Sequence, residues 1–97
     1  MKPARFLPAA REEFLEAVDY YDLQSPHLGA SFRLSIEQTV DVIREYPAAW
    51  PEIRPGFRHK LLRRFPYGVI YREEPTEIAV VAVMHLSREP DYWAGRE

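Results

Sequence analysis

The chain has 97 residues, 46% hydrophobic and 29% charged, with a net charge of −2 and no cysteine. This length predicts a single domain over residues 1–97, and the lack of cysteine excludes disulfides, thiolate metal sites and cysteine nucleophiles. No apolar run approaches the roughly 20 residues of a membrane span, and the N-terminus lacks the apolar stretch of a signal peptide. We therefore expect a cytoplasmic protein without membrane contact.

The N-terminal part of the chain predicts a short strand followed by a helix. Residues 3–7 form the candidate strand, whose length is limited by Pro3 and Pro8. From Ala9 onward, apolar residues recur at helical spacing. Acidic side chains fall on the opposite face, which we interpret as a solvated surface without catalytic function; they are Glu12, Glu13, Glu16 and Asp19.

A second helix is predicted after a short break. Ser25 followed by Pro26 is typical of an N-cap and a first helical position. The apolar stripe of this helix continues to about Tyr46, and Pro47 ends it. Two amphipathic helices joined by a short turn predict an antiparallel helix hairpin.

The second half of the chain predicts a sheet. Residues 47–56 contain three prolines and Gly56, which indicates a loop. Beyond this loop the apolar period changes to two, which is typical of strands. Three strands are predicted, at residues 57–65, 69–73 and 77–85.

The last predicted strand is apolar on both faces, which is typical of a central strand. Residues 87–97 follow it, with a possible short helix after Pro90. The order of elements predicts an α+β domain with helices on one face of a mainly antiparallel sheet. The predicted core consists of Phe14, Val18, Phe32, Ile36, Val40, Ile43, Ile78, Val80 and Val83.

Basic side chains are concentrated in residues 57–72, which hold five of them and no acidic residue. A local basic stripe on a mildly acidic protein can bind an anion, but a protein that holds long nucleic acid by charge is basic overall. No metal site or cofactor is predicted, because the three histidines lack ligand spacing and no glycine-rich phosphate loop is present. His85 suits acid–base chemistry, although a structural role at the strand end is favoured.

Several sequence blocks resemble the RelE/ParE superfamily of toxins from type II toxin–antitoxin systems. Residues 60–72 (KLLRRFPYGVIYR) are similar to the family hairpin, and residues 83–96 (VMHLSREPDYWAGR) to the ending of ParE-type members. Residues 17–21 (AVDYY) and the pair Tyr46-Pro47 also resemble family positions. The resemblance covers nearly the whole chain and implies the same order of strand, two helices and three strands.

The resemblance to ParE-type members implies a growth-inhibiting, plasmid-stabilising toxin that binds DNA gyrase without catalysing a reaction. A cognate antitoxin is implied as the neutralising partner, with which the toxin can form a hetero-oligomer. The residues expected to bind the target are Arg88, Tyr92, Trp93 and Arg96. Those expected to bind the antitoxin are Arg58, Lys60, Arg63, Arg64 and Arg72.

Two other interpretations stay open at this point. The basic stripe favours a RelE-like, ribosome-dependent mRNA endoribonuclease, in which cations stabilise the charge of the cleavage transition state. The residues that such a nuclease would use are Lys60, Arg64, Arg72, Arg88 and Tyr92. The other interpretation is a superfamily member that has lost its toxicity.

Overall fold

Two helices and five strands follow one another along residues 1–96, which the computed structural model describes. The α+β class predicted from the sequence is confirmed. In chain order the elements are β1 (Ala4–Phe6), α1 (Pro8–Gln24), α2 (Leu28–Glu45), β2 (Glu52–Arg54), β3 (Phe57–Leu61), β4 (Tyr67–Glu73) and β5 (Ile78–His85).

All five strands belong to one sheet with the order β1-β5-β4-β3-β2. The three predicted antiparallel strands form its centre, and two short strands extend it. β1 pairs with β5 in parallel, which makes the sheet mixed. β2 lies inside the predicted loop at residues 47–56 and pairs antiparallel with β3. Because β2 has three residues and all are exposed, no apolar alternation marked it in the sequence.

The helix hairpin covers one face of the sheet and encloses the larger core. A Cβ atom at Gly29 would lie 2.9 Å from the Val18 carbonyl oxygen, so glycine permits the close approach of α2 to α1. The predicted core is confirmed, with Phe14 partly buried against it and the other predicted residues buried. Within residues 1–96, no helix is long and apolar enough to cross a membrane.

The opposite face of the sheet carries a smaller core beneath residues 87–96, which we call the C-terminal segment. Leu7, Ile70, Val81, Ala82 and Trp93 form this second cluster. A register shift makes it possible: Tyr71 lies opposite Val80 while Ile70 lies opposite Ala82, so Val81 is the extra residue of a β-bulge.

Several predicted element boundaries differ from the structure, among them the start of β4, which lies at Tyr67 instead of residue 69. The strand predicted over residues 57–65 ends at Leu61, because Leu62 and Phe65 both enter the helix-side core and a strand cannot place residues three apart on one face. The second helix begins at Leu28 instead of Pro26. Ser25 serves as the C-cap of α1, with its N–H donating to the Tyr21 carbonyl, so it does not cap α2.

The C-terminal segment contains turns, and no helix follows Pro90 within the described residues up to Arg96. Its backbone hydrogen bonds span three residues each, from Tyr92 N–H to Glu89, from Ala94 N–H to Asp91 and from Arg96 N–H to Trp93. Glu97 lies outside the described residues.

Candidate functional site

A groove of about 470 Å³ runs between α2 and the end of β3, and we call it the α2–β3 groove. Three large apolar side chains, Leu34, Val42 and Leu61, lie in it and are 53%, 37% and 46% exposed. Cations and polar groups complete the lining, so the groove combines an exposed apolar floor with positive charge. The basic residues are Lys60, Arg63 and Arg64, and the polar ones are Ser31, Ser35, Gln38 and Thr39.

The basic residues expected to bind an antitoxin therefore separate into two groups. Lys60, Arg63 and Arg64 line the α2–β3 groove. Arg58 instead donates to the Trp50 carbonyl at 2.8 Å, and Arg72 donates to Glu74 at 2.5 Å. The structure brings three of the five predicted residues together in the groove, while the other two lie outside it and donate hydrogen bonds within the protein.

The loop before β2 is fixed against the sheet beside this groove. The Lys60 ammonium lies 4.3 Å from the centre of the Trp50 ring, a cation–π contact. The Tyr71 hydroxyl donates to the Pro47 carbonyl at 2.5 Å, and burial raises the pKa of Tyr71 to about 12. These contacts fix the loop to the sheet and place Lys60, which lines the groove, against Trp50.

Trp93 belongs to the core and not to an exposed patch. Its side chain is 1% exposed, and its ring centre lies 5.0 Å from that of Phe57 on β3. Its indole N–H donates to the Pro90 carbonyl at 2.7 Å. Trp93 therefore attaches the C-terminal segment to the sheet and is not available for direct contact with a target in this structure.

The other three residues expected to bind the target form a stacked cluster. The guanidinium of Arg88 lies 3.8 Å from the centre of the Tyr92 ring, and that of Arg96 lies 5.1 Å from it. Arg88 is exposed, whereas Tyr92 and Arg96 are half-buried. Burial, together with a hydrogen bond to Glu13, raises the pKa of Tyr92, so its hydroxyl stays protonated and donates.

Glu13 is the site residue that the sequence did not reveal. Its side chain is 14% exposed, although its helical position placed it on the acidic face of α1. Its two carboxylate oxygens accept hydrogen bonds from Tyr92 at 2.7 Å, from the Val83 N–H at 3.0 Å and twice from Arg96 at 2.9 Å. The partners lie about 70 to 83 residues away, so local spacing contains no signal for them.

The residues proposed for a nuclease lie in different parts of the molecule. Lys60 and Arg64 line the α2–β3 groove, whereas Arg88 lines a separate cleft with Glu13, Tyr67 and His85. Arg72 lies at the far end of β4, where it is bonded to Glu74. A phosphorane needs its cations around one phosphate, which this distribution does not provide.

His85 has structural contacts at the end of β5. Its ring lies edge-on to Tyr67 at 4.9 Å, and its Nδ1 accepts the Ser87 N–H at 3.0 Å. The structural role favoured from the sequence agrees with these contacts. Within residues 1–96, no three His, Cys, Asp or Glu side chains gather in a way that suits a metal ion.

Comparisons with known proteins concern the family and the fold of the chain. A family model described as "ParE toxin of type II toxin-antitoxin system, parDE" matches residues 4–90. Toxin ParE2 of Mycobacterium tuberculosis, from two strains, is 28% identical over 81 residues, which are 82% of this chain and 77% of that protein. A solved structure titled "Chromosomal ParDE TA system from P. aeruginosa" has a TM-score of 0.77 at 20% identity and covers 89% of this chain and 97% of that chain. At that identity, the structural match shows the fold.

Proposed function

This chain belongs to the ParE toxin family of type II toxin–antitoxin systems, and from that premise we propose that it inhibits growth by binding DNA gyrase. We further propose that a cognate antitoxin neutralises it by binding the α2–β3 groove. The observation that carries the first proposal is the stacked pair of Arg88 and Tyr92 on a structured support.

An exposed arginine stacked on a fixed aromatic ring suits a protein target. Arginine and tyrosine contribute disproportionately to the energy of protein interfaces, above all where their conformation is set before binding. Arg88 is exposed and lies against Tyr92, whose hydroxyl is bonded to Glu13. The dispersed positions of the cations proposed for a nuclease favour this mode of action over mRNA cleavage.

The α2–β3 groove suits an acidic, apolar peptide. An amphipathic segment would place apolar side chains on Leu34, Val42 and Leu61, and carboxylates beside Arg63 and Arg64. Because a disordered segment that folds on binding buries apolar surface, we expect a large negative heat-capacity change on association.

The gyrase proposal is tested by replacing the exposed arginine of the cluster. We expect Arg88→Ala to weaken inhibition of supercoiling by purified bacterial gyrase, and growth arrest in cells, by at least about tenfold. Arg11→Ala is the matched control, because Arg11 is an exposed arginine whose side chain has no hydrogen bond or ion pair within residues 1–96. Equal inhibition by Arg88→Ala and the control would contradict the proposal.

The antitoxin proposal is tested by calorimetry with the product of the neighbouring reading frame. Arg64→Ala is expected to weaken binding and to reduce its dependence on salt, while growth arrest persists. If the unmodified protein does not bind this product, the proposed antitoxin partner is wrong.

If Lys60→Ala or Arg64→Ala instead abolishes growth arrest and mRNA cleavage appears with the unmodified protein, the nuclease interpretation replaces the gyrase one. If the unmodified protein does not arrest growth, the chain has lost its toxicity.

A further inference from the structure

The edge of β5 next to β1 is covered by a strand for only part of its length. The register of β1 with β5 ends at Phe6 opposite Val80, and the Leu7 N–H donates to the Val80 carbonyl at 2.9 Å. Pro8 then begins α1 and has no N–H to donate. The following polar groups of the β5 edge, the Val81 carbonyl and the Val83 N–H, therefore need other partners.

Those two backbone groups are bonded by one ion pair. Arg96 donates to the Val81 carbonyl at 3.0 Å, and Glu13 accepts the Val83 N–H at 3.0 Å. Arg96 and Glu13 also bond each other twice at 2.9 Å. In a parallel ladder, one residue of the neighbouring strand donates to one carbonyl and accepts the N–H two residues further on. The pair thus takes the place of a strand residue opposite Ala82.

From this arrangement we propose that Glu13 is a positioning residue for target binding. It completes the sheet edge through Arg96 and at the same time bonds the Tyr92 hydroxyl, which lies at 2.7 Å. Tyr92 is the ring on which Arg88 stacks, so Glu13 sets the place from which Arg88 reaches the target. This inference rests on the proposed function, in which the Arg88–Tyr92 pair contacts gyrase.

Glu13 makes charge-assisted hydrogen bonds. Hydrogen bonds between ionised partners are about twice as strong as neutral ones, and side chains that are 14% and 21% exposed are partly shielded from water. The C-terminal segment has a second attachment, because Trp93 is buried against the sheet independently of Glu13. A change at Glu13 should therefore loosen the cluster without detaching the whole segment.

The decisive variant is Glu13→Gln, which keeps the shape of the side chain and removes its charge. Glu12→Gln is the matched control, because Glu12 is the exposed neighbour on α1 and its side chain has no hydrogen bond or ion pair within residues 1–96. We expect Glu13→Gln to inhibit gyrase about tenfold more weakly, since it loses charge-assisted bonds. Amide exchange should accelerate at Val83 and in residues 88–96, while the rest of the sheet stays protected. The control should match the unmodified protein in both measurements.

Two further variants cover a failure of Glu13→Gln to fold and test the directions of the hydrogen bonds. If Glu13→Gln fails to fold, Glu13→Asp retains the charge on a shorter side chain and should give a smaller loss in the same direction. The double variant Glu13→Arg with Arg96→Glu restores opposite charges but presents a donor to the Val83 N–H and an acceptor to the Val81 carbonyl. It should not restore the protection of Val83. If the Val83 N–H were again protected from exchange, opposite charges alone would account for the protection, and the proposed completion of the sheet edge would be overturned.

Failure of the inference can be separated from failure of the gyrase proposal. A folded Glu13→Gln protein with unchanged gyrase inhibition and unchanged growth arrest would overturn the positioning role alone. If the unmodified protein does not inhibit gyrase, the proposed target is wrong, and growth arrest at equal protein levels then decides the inference. Weakened arrest in Glu13→Gln but not in Glu12→Gln supports the positioning role; equal arrest overturns it. A lack of arrest by the unmodified protein overturns both.

Discussion

The two faces of the sheet are stabilised in different ways. On the helix side, α1 and α2 bury a broad core with aromatic contacts such as Phe32 with Tyr67, whose ring centres lie 4.9 Å apart. On the other side, turns cover a small cluster around Trp93, and the carboxylate of Glu13 joins the segment to α1 and β5. The helix side depends on apolar area, whereas the C-terminal side depends on one large ring and a few charged hydrogen bonds.

This difference has a consequence for dynamics. Apolar burial spread over two helices and a sheet opens cooperatively, so the helix side should exchange only on global unfolding. A short segment held by a few contacts can open locally at a lower free energy. The surface that we propose for gyrase therefore lies on the less stable side.

Ile36→Ala should destabilise the whole protein. Ile36 is completely buried in the helix-side core, and deleting a buried isoleucine side chain to alanine costs about 2–5 kcal/mol of unfolding free energy. Chemical denaturation measures the loss. The control is Leu23→Ala, at a side chain that is 87% exposed, where a change within about 0.5 kcal/mol is expected. A similar loss in both variants would mean that the core is placed incorrectly.

Trp93→Ala should act locally. Truncating a tryptophan in a rigid core costs about 3–5 kcal/mol, but a segment that can detach limits the loss to its own docking free energy, so we expect less than about 3 kcal/mol. Amide exchange should accelerate in residues 88–96 and remain slow in α1 and α2. If amide exchange accelerated equally in α1, α2 and residues 88–96, the contrast between the two faces would be wrong.

Two tyrosines allow a matched comparison of hydroxyl groups. Tyr92→Phe removes a bond to the Glu13 carboxylate, and Tyr71→Phe removes one to the Pro47 carbonyl. Bonds to charged groups contribute about 1.5–3 kcal/mol and neutral ones about 0.5–1.5 kcal/mol, so the loss at Tyr92 should be larger but confined to the C-terminal segment. Exchange rates in residues 88–96 and the midpoint of denaturation report the two effects. The reverse order would argue against the charged attachment.

His59 should make stability fall at acid pH. It lies on β3 two residues after Phe57, and burial lowers its pKa. When the pH falls below the ordinary histidine pKa of about 6.5, His59 takes up a proton in the unfolded chain before it does so in the folded protein. Proton binding therefore stabilises the unfolded chain more, and the free energy of unfolding decreases as the pH falls through this range.

Replacing His59 should reduce this decrease. Denaturation of His59→Gln between neutral and mildly acid pH is expected to show a shallower loss of stability than the unmodified protein. His27→Gln changes an exposed histidine at the start of α2 and serves as the control. An unchanged slope in His59→Gln would show that other groups cause the acid sensitivity.

Periodicity in the sequence was sufficient for the helix side. The apolar stripe through Phe32 and Ile36, and the doubly apolar strand around Val80, predicted α2, β5 and their burial, because helical and strand spacing decide locally which side chains share a face. The groove cations Lys60, Arg63 and Arg64 were also identified by their clustering in the sequence.

Tertiary structure alone decided the C-terminal side. Periodicity assigned Glu13 to a solvated face, because it does not show that β1 ends early and leaves the Val83 N–H and Val81 carbonyl beside the helix. Unpaired backbone groups at that edge require partners, and Glu13 and Arg96, 83 residues apart, supply them only after the sheet has formed. The same long-range packing buries Trp93, which we expected among the target-binding residues, because its pocket is assembled from β3, β4 and β5 together.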